Sequence, residues 1–214
     1  MKTNQEYKNM ALASLKGNWA PYVIDSIVLM AFAYLIYGPY TVAYELAINE
    51  ITANPVFALV ALAVYVLGIP LVFMPLNLGY TYAANRLFVE GDNRLTSNTF
   101  KDGFGRWGRN VWGLFLVRFF TFLWALLLIV PGIIKFYAYA MTPYILVDNP
   151  ELSSNQAINL SKKMMKGHKF DLFCLHLSFI GWIFLSIFTL GIGLLWLLPY
   201  MTTAQAAFYQ DLKK

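Results

Sequence analysis

Long apolar stretches separated by short polar segments dominate this chain. A transmembrane helix needs about 20 mostly apolar residues to cross roughly 30 Å of hydrocarbon. Six stretches approach this length, although the fourth and sixth are short and contain a proline: 19–44, 56–82, 111–130, 133–147, 172–190 and 194–209. Membrane helices tolerate proline where neighbouring groups satisfy the freed carbonyls. The pattern therefore predicts an all-α, polytopic membrane protein with six transmembrane helices.

The composition agrees with membrane insertion. Hydrophobic residues make up 59% of the 214 residues and charged residues only 13%, against roughly 45–50% and about 25% in ordinary globular chains. This excludes a disordered chain, a disulfide-stapled secreted domain and almost any soluble enzyme. The amino terminus has no apolar core next to its start, so we expect the first span, not a cleaved signal peptide, to direct insertion.

The positive charges predict the orientation of the spans. If there are six, fourteen of the sixteen Lys and Arg residues fall on one side, at the two termini and in the loops after the second and fourth spans. Cytoplasmic loops carry an excess of Lys and Arg, so both termini are predicted to be cytoplasmic. The net charge of +5 does not indicate nucleic-acid binding, because these charges flank apolar runs.

Two segments repeat at an offset of 150 residues. The stretch from Thr3 aligns with the stretch from Ser153, and Gly17 aligns with Gly167. Each copy opens with a hydroxyl residue followed three positions later by Glu or Gln, which predicts a capping box at a helix start. Apolar residues then recur at helical spacing, so each copy predicts an amphipathic helix in the cytoplasmic interface, with its apolar stripe towards the bilayer.

A weaker third copy of the segment ends at residues 106–108. We interpret residues 1–214 as a single integral membrane domain of three units, about 3–83, 96–148 and 153–210. Each unit is an interfacial helix followed by a membrane hairpin. The alternative is that apolar segments resemble one another through composition alone.

Polar residues inside the spans are the candidate functional residues, because an ionisable side chain there costs about 2.5–3.5 kcal/mol. Asp25 in the first span and Arg118 in the third lie at similar depths from the cytoplasmic end, so we expect them to pair. The alternatives are a site for a lipid head group or substrate anion, or an Arg118 that extends to the interface. Lys135 is either an interfacial lysine or part of an anion site.

Hydroxyl and amide side chains concentrate in the short fourth and sixth spans. Tyr139 and Thr142 lie in the fourth, and Thr202 and Gln205 lie in the sixth. We expect these side chains either to line a polar cavity between hairpins or to form the helix–helix hydrogen bonds that are common in membranes.

Motifs of catalysis, metal binding and phosphate binding are absent from the sequence. The two histidines and the single cysteine lack metal-ligand spacing. Nucleophile elbows, zinc-protease motifs and Walker motifs do not occur either. We therefore expect no catalytic residue, no metal site and no cofactor.

Several stretches resemble a family of uncharacterised bacterial multi-pass integral membrane proteins. They are LKGNW at 15–19, LLLIVPGIIKFYAYAMTPYILVDNP at 126–150, MKGHKFDLF at 165–173 and SFIGWIFLSIFTLGIGLLWLLPYMTTAQAAFY at 178–209. The family is named only as a domain of unknown function and is distantly similar to the membrane domain associated with glycerophosphodiester phosphodiesterases. The resemblance implies a six-helix protein of a bacterial cytoplasmic (inner) membrane, without an accepted activity or transferable catalytic residues.

The expected function is non-enzymatic: binding a lipid or another amphiphile, or supporting a membrane complex. Anionic lipid head groups are the expected partners, because each surface Lys or Arg contributes about 1 kcal/mol of attraction. A homo-oligomer or a membrane-protein partner is compatible with this interpretation. The alternative is a small-molecule transporter or exporter, since repeats and proline-broken spans suit alternating access.

Overall fold

A computed structural model of the protein describes residues 1–49 and 54–213. Within this range, residues 95–96 are described by their backbone alone. Its regular elements are α-helices and one π-helical turn at Ile69–Phe73, between the third and fourth α-helices. The α-helices are α1 (Asn4–Leu15), α2 (Trp19–Ile48), α3 (Pro55–Gly68), α4 (Met74–Glu90), α5 (Leu95–Phe104), α6 (Trp107–Leu127), α7 (Ile129–Tyr139), α8 (Thr142–Asp148), α9 (Ser154–Met164), α10 (Lys169–Leu177), α11 (Ile180–Phe188) and α12 (Leu194–Leu212). Of the polar loop predicted between the first two spans, residues 50–53 lie outside the described residues, as does Lys214.

Five helical stretches within the described residues are long and apolar enough to cross a membrane. They are Trp19–Ile48, Pro55–Glu90, Trp107–Leu127, Ile129–Asp148 and Lys169–Phe188. These stretches correspond to the first five predicted spans, whereas α12, the sixth predicted span, is not among them. The all-helical class is confirmed, and the five apolar helices indicate a membrane protein.

The second predicted span continues well beyond its expected end. Helix α3, the π-helical turn and α4 form one continuous helical stretch, Pro55–Glu90. Pro70 lies in the π-helical turn, where the wider register accommodates a residue that has no backbone N–H to donate. Gly91, in the left-handed region at φ 67°, ends α4.

The turn between the third and fourth predicted spans lies a few residues before its predicted position at Pro131. Helix α6 ends at Leu127 and α7 begins at Ile129, so Pro131 belongs to the first turn of α7. Proline is favoured there because the first backbone N–H groups of a helix have no helical acceptor. Gly132 lets the two helices meet closely, because a Cβ at this position would lie 2.7 Å from the Cα of Ala125.

The short helices begin as the repeat predicts. Thr3 and Glu6 form a capping box at the start of α1, and Ser153 and Gln156 form one at the start of α9. The glycine that follows each helix adopts a positive φ, 83° at Gly17 and 90° at Gly167. Both predicted capping boxes are therefore confirmed.

The prediction that the apolar stripes of these helices face the bilayer is wrong. In α1, Tyr7, Ala11 and Leu15 are buried, and the helix packs on α12, with the rings of Tyr7 and Phe208 5.4 Å apart. In α9, Ala157, Ile158 and Ser161 are buried among α6, α7 and α8. The reason is that the neighbouring helices, α12 for α1 and α6, α7 and α8 for α9, present apolar surface to the stripes. The stripes are therefore buried against protein.

Burial divides the molecule into two regions. The packed region comprises α1, α4, α5, α8, α9 and α12, and it holds most of the buried core. The apolar arms comprise α3, residues 120–134 and α11, whose large apolar side chains are mostly exposed.

A cavity lined by arginine, amide and hydroxyl side chains

A cavity of about 480 Å³ lies between α4, α6, α7, α10 and α12. Its polar lining residues are Asn77, Thr81, Arg118, Thr121, Tyr139, His176 and Gln205. Apolar side chains, among them Phe122 and Phe136, complete the wall. The structure therefore brings together three residues that the sequence singled out: Arg118, Tyr139 and Gln205.

Helical spacing places several of these polar groups on common faces. Asn77 and Thr81 are four residues apart on α4, and Arg118 and Thr121 are three apart on α6. Residues three or four apart lie on the same side of a helix. Each of the two helices thus presents a short polar face to the cavity within an otherwise apolar stretch.

Arg118 brings a positive charge to this cavity. Its side chain is exposed rather than buried in the packed region. None of the ion pairs among the described residues involves Arg118, and no acidic side chain is among the described lining residues. The arrangement therefore favours an anion as ligand.

The other polar groups divide into donors and acceptors. The amides of Asn77 and Gln205 and the hydroxyl of Tyr139 are available donors, and Gln205 lies beside His176. The hydroxyls of Thr81 and Thr121 already donate to carbonyls of their own helices, at 2.8 and 2.7 Å. These two hydroxyls consequently present only lone pairs to the cavity.

The predicted pairing of Asp25 with Arg118 is not formed among the described ion pairs. Asp25 is completely buried, and its Oδ2 accepts a hydrogen bond of 2.6 Å from Thr99 Oγ1. Thr99 lies on α5, which packs against both α2 and α4. The physical reason is that α5 occupies the position beside Asp25.

The other three candidate residues also lie away from the cavity lining. The Lys135 ammonium lies 4.7 Å from the centre of the Trp124 ring, a cation–π contact. Thr142 is completely buried, and Thr202 donates to Leu198 O in its own helix at 2.9 Å.

Four polar lining residues are not among the candidates that the sequence indicates: Asn77, Thr81, Thr121 and His176. Their helical spacing is visible in the sequence, but which helices are neighbours is not. The sequence indicates His176 only as a possible metal ligand. Within the described residues, no group of three or more His, Cys, Asp or Glu side chains could hold a metal ion.

Carboxylates join the ends of several helices outside the cavity. Asp148, at the end of α8, accepts hydrogen bonds from Tyr209 and Lys213, each at 2.8 Å, and from Tyr82. Asp211 accepts from Tyr7 at 2.8 Å and pairs with Lys2 at 3.0 Å. These hydrogen bonds, chiefly that from Tyr7, lower the pKa of Asp211 to about 2.

Comparison with known proteins gives one match. No curated protein and no solved structure matches the chain. Residues 109–214, which include the cavity residues Arg118, Tyr139, His176 and Gln205, match the model of a family described as "Protein of unknown function (DUF975)". Over its carboxyl-terminal half, the chain thus resembles an uncharacterised domain family.

Proposed function

We propose that this chain is a non-enzymatic, multi-pass membrane protein that binds a lipid or another amphiphile with an anionic head group in the Arg118 cavity. The observation that carries the proposal is an arginine without an acidic neighbour in the lining, on a helix long enough to span a membrane. An anionic head group would offset the cost of holding a guanidinium there through charge-assisted hydrogen bonds.

Apolar side chains beside the cavity provide for the rest of an amphiphile. Phe122 and Ala125 belong to the arm at residues 120–134 and also line the cavity. A second cavity of about 360 Å³ lies between α1, α2, α11 and α12 and offers further apolar volume, with Trp19, Trp182, Trp196 and several leucines in its lining. An acyl chain has the chemistry that both surfaces would accept.

A binding titration tests this function. We expect Arg118→Gln to weaken binding of short-chain phosphatidylglycerol to the detergent-purified protein about tenfold or more, because charge-assisted hydrogen bonds are lost. Lys135→Gln is the matched control. It removes a cation from the next helix, α7, but the Lys135 ammonium lies over the Trp124 ring and outside the cavity lining. Equal affinities for the wild type and Arg118→Gln, or no binding by the wild type, would overturn the proposal.

The proposed architecture is a single domain of six spans, arranged as three hairpin units at about 3–83, 96–148 and 153–210. Supporting contacts join α2 to α3, α6 to α7 and α11 to α12. The short helices pack in a regular order: α5 on α4, α9 on α8 and α1 on α12. Each short helix would thus cover the last helix of the preceding unit, with the first unit closing on the third.

The proposal places both termini on the cytoplasmic side of a bacterial inner membrane. It is supported by the one-sided distribution of Lys and Arg and by the Lys2–Asp211 ion pair, which joins the two ends of the chain. In a Cys174→Ser background, a membrane-impermeant maleimide added from outside is expected to label Asn49→Cys and to leave Arg94→Cys unmodified. The opposite labelling would contradict this orientation.

The proposal also includes anionic lipids at the exposed lysines of α9, a homo-oligomer or membrane-protein partner on the apolar arms, and no role in nucleic-acid binding. We also propose that the chain is distantly similar to the membrane domain associated with glycerophosphodiester phosphodiesterases.

Transport of a small anion or amphiphile is the second candidate function. It is favoured by the position of Arg118 near the middle of α6, since transporters bind their substrates at mid-membrane depth. Head-group translocation in proteoliposomes that is lost in Arg118→Gln would support transport, whereas binding without flux would support a binding protein.

A further inference from the structure

We infer that the head group held in the Arg118 cavity is a phosphodiester that also carries hydroxyl groups, as in a glycerol phosphate. This inference rests on the proposed function, because it specifies the ligand class of the same cavity. It follows from the charge, the donors and the acceptors that the lining presents.

The charge of the lining favours a monoanion. Arg118 is the one Lys or Arg side chain among the described lining residues. Lys162 is nearby, but its ammonium lies 5.6 Å from the centre of the Tyr139 ring and is not part of the lining. A phosphodiester carries one negative charge and is balanced by one guanidinium, whereas a phosphate monoester carries about −1.5 to −2.

The donors of the lining favour phosphate over carboxylate. The guanidinium of Arg118 has five N–H donors in a planar fork, and a carboxylate engages that fork with both of its oxygens. The amide of Asn77 and the hydroxyl of Tyr139 also line the cavity. A carboxylate held by the fork keeps one further lone pair on each oxygen, whereas a phosphodiester adds two ester oxygens and so offers these donors more acceptor atoms.

The acceptors of the lining favour a head group that donates hydrogen bonds. The hydroxyl protons of Thr81 and Thr121 are committed to Asn77 O and Val117 O, so each hydroxyl offers only lone pairs to a ligand. A head group with hydroxyls supplies donors for these lone pairs, whereas one capped by a methyl group leaves them unpaired.

Three probes of known chemistry test the inference in the purified full-length protein. They are phosphatidylglycerol, phosphatidylmethanol, which has the same charge but no hydroxyl, and oleate, which is a carboxylate. We expect phosphatidylglycerol to bind the wild type about three- to tenfold more tightly than phosphatidylmethanol, and oleate to bind more weakly than either phospholipid.

Two variants assign that preference to the threonines. The double variant Thr81→Val, Thr121→Val keeps the side-chain shapes and removes the lone pairs, so the two phospholipids should then bind equally. Thr202→Val is the matched control, because Thr202 makes the same kind of intrahelical bond without lining the cavity. It should retain the wild-type preference.

The outcomes separate this inference from the proposed function. Equal wild-type affinities for the two phospholipids, or oleate binding as tightly as they do, would overturn the inference while anionic amphiphile binding stands. If no anionic probe binds, the proposed function falls as well. The affinities of the wild type for the three probes test the inference even if the double variant does not fold.

Discussion

The two halves of the continuous helical stretch Pro55–Glu90 differ sharply in their surroundings. In α3, all of whose residues are described, Ala61 is the only buried residue, and leucines and valines point outwards. In α4, ten residues are buried, including Asn85. The first half packs against α2 and leaves most of its apolar side chains exposed, and the second half forms part of the core.

Because α3 belongs to the apolar arms and α4 to the packed region, this difference indicates the surroundings that each region requires. An exposed apolar surface as extensive as that of the arms is not stable in water, so hydrocarbon is its natural surrounding. The packed region supplies its own apolar surroundings and holds buried polar residues such as Asn85 and Thr99. The Arg118 cavity combines residues of both regions, with Asn77 from α4 and Phe122 from an arm.

The largest expected effect comes from a glycine in the packed region. A Cβ at Gly79 would lie 1.8 Å from the carbonyl oxygen of Thr99, so Gly79→Ala would force α5 away from α4. We expect a loss of about 3 kcal/mol in the free energy of unfolding. Gly181→Ala in an arm has open space and is expected to be neutral or stabilising by up to about 1 kcal/mol. Denaturant unfolding in detergent measures both, and a stable Gly79→Ala variant would contradict the packing of α5.

A second pair of variants compares the regions through membrane insertion. Val60 in α3 and Val89 at the end of α4 are each 55% exposed. Val60→Asp places a carboxylate in hydrocarbon and should cost about 2.5–3.5 kcal/mol of insertion free energy. Val89→Asp should change insertion by no more than about 0.5 kcal/mol. The yield of membrane-inserted protein measures the difference, and equal yields would show that the two surfaces share one solvent.

The smallest effect concerns the pH dependence of the packed region. Asp211 lies beyond the predicted sixth span, and its pKa is lowered to about 2 from about 3.9 in an unfolded chain. Its stabilising contribution is therefore complete above about pH 4 and is lost as the pH falls through about 2. Asp211→Asn should lower stability by about 1 kcal/mol at pH 7, and this deficit should shrink as the pH falls through about 2. A deficit of the same size at pH 7 and at about pH 1 would contradict this role.

Local features of the fold could be predicted from the sequence because they depend on neighbouring residues. The capping boxes at Thr3 and Ser153 follow from the spacing of three positions between the hydroxyl residue and the Glu or Gln. The position of α5 could not be predicted, because it depends on the contact of Gly79 with Thr99, which lies twenty residues away on another helix.

The cavity was predictable only in part for the same reason. Arg118, Tyr139 and Gln205 are unusual residues for their spans and can be recognised one at a time. The pairing of Asp25 with Arg118 was inferred from equal depth alone, and depth does not determine which helix lies beside which. Thr81 and Thr121 gain significance only once α4 and α6 are known to face one cavity.

The most direct test of the account is to locate a bound anionic lipid. A photoactivatable phosphatidylglycerol analogue, crosslinked to the protein in membranes and mapped by mass spectrometry, should modify residues of α6 and α7 around Arg118. Arg118→Gln should abolish these crosslinks, and Lys135→Gln should retain them. Crosslinks spread evenly over the apolar arms and unchanged in Arg118→Gln would contradict a binding site in the cavity.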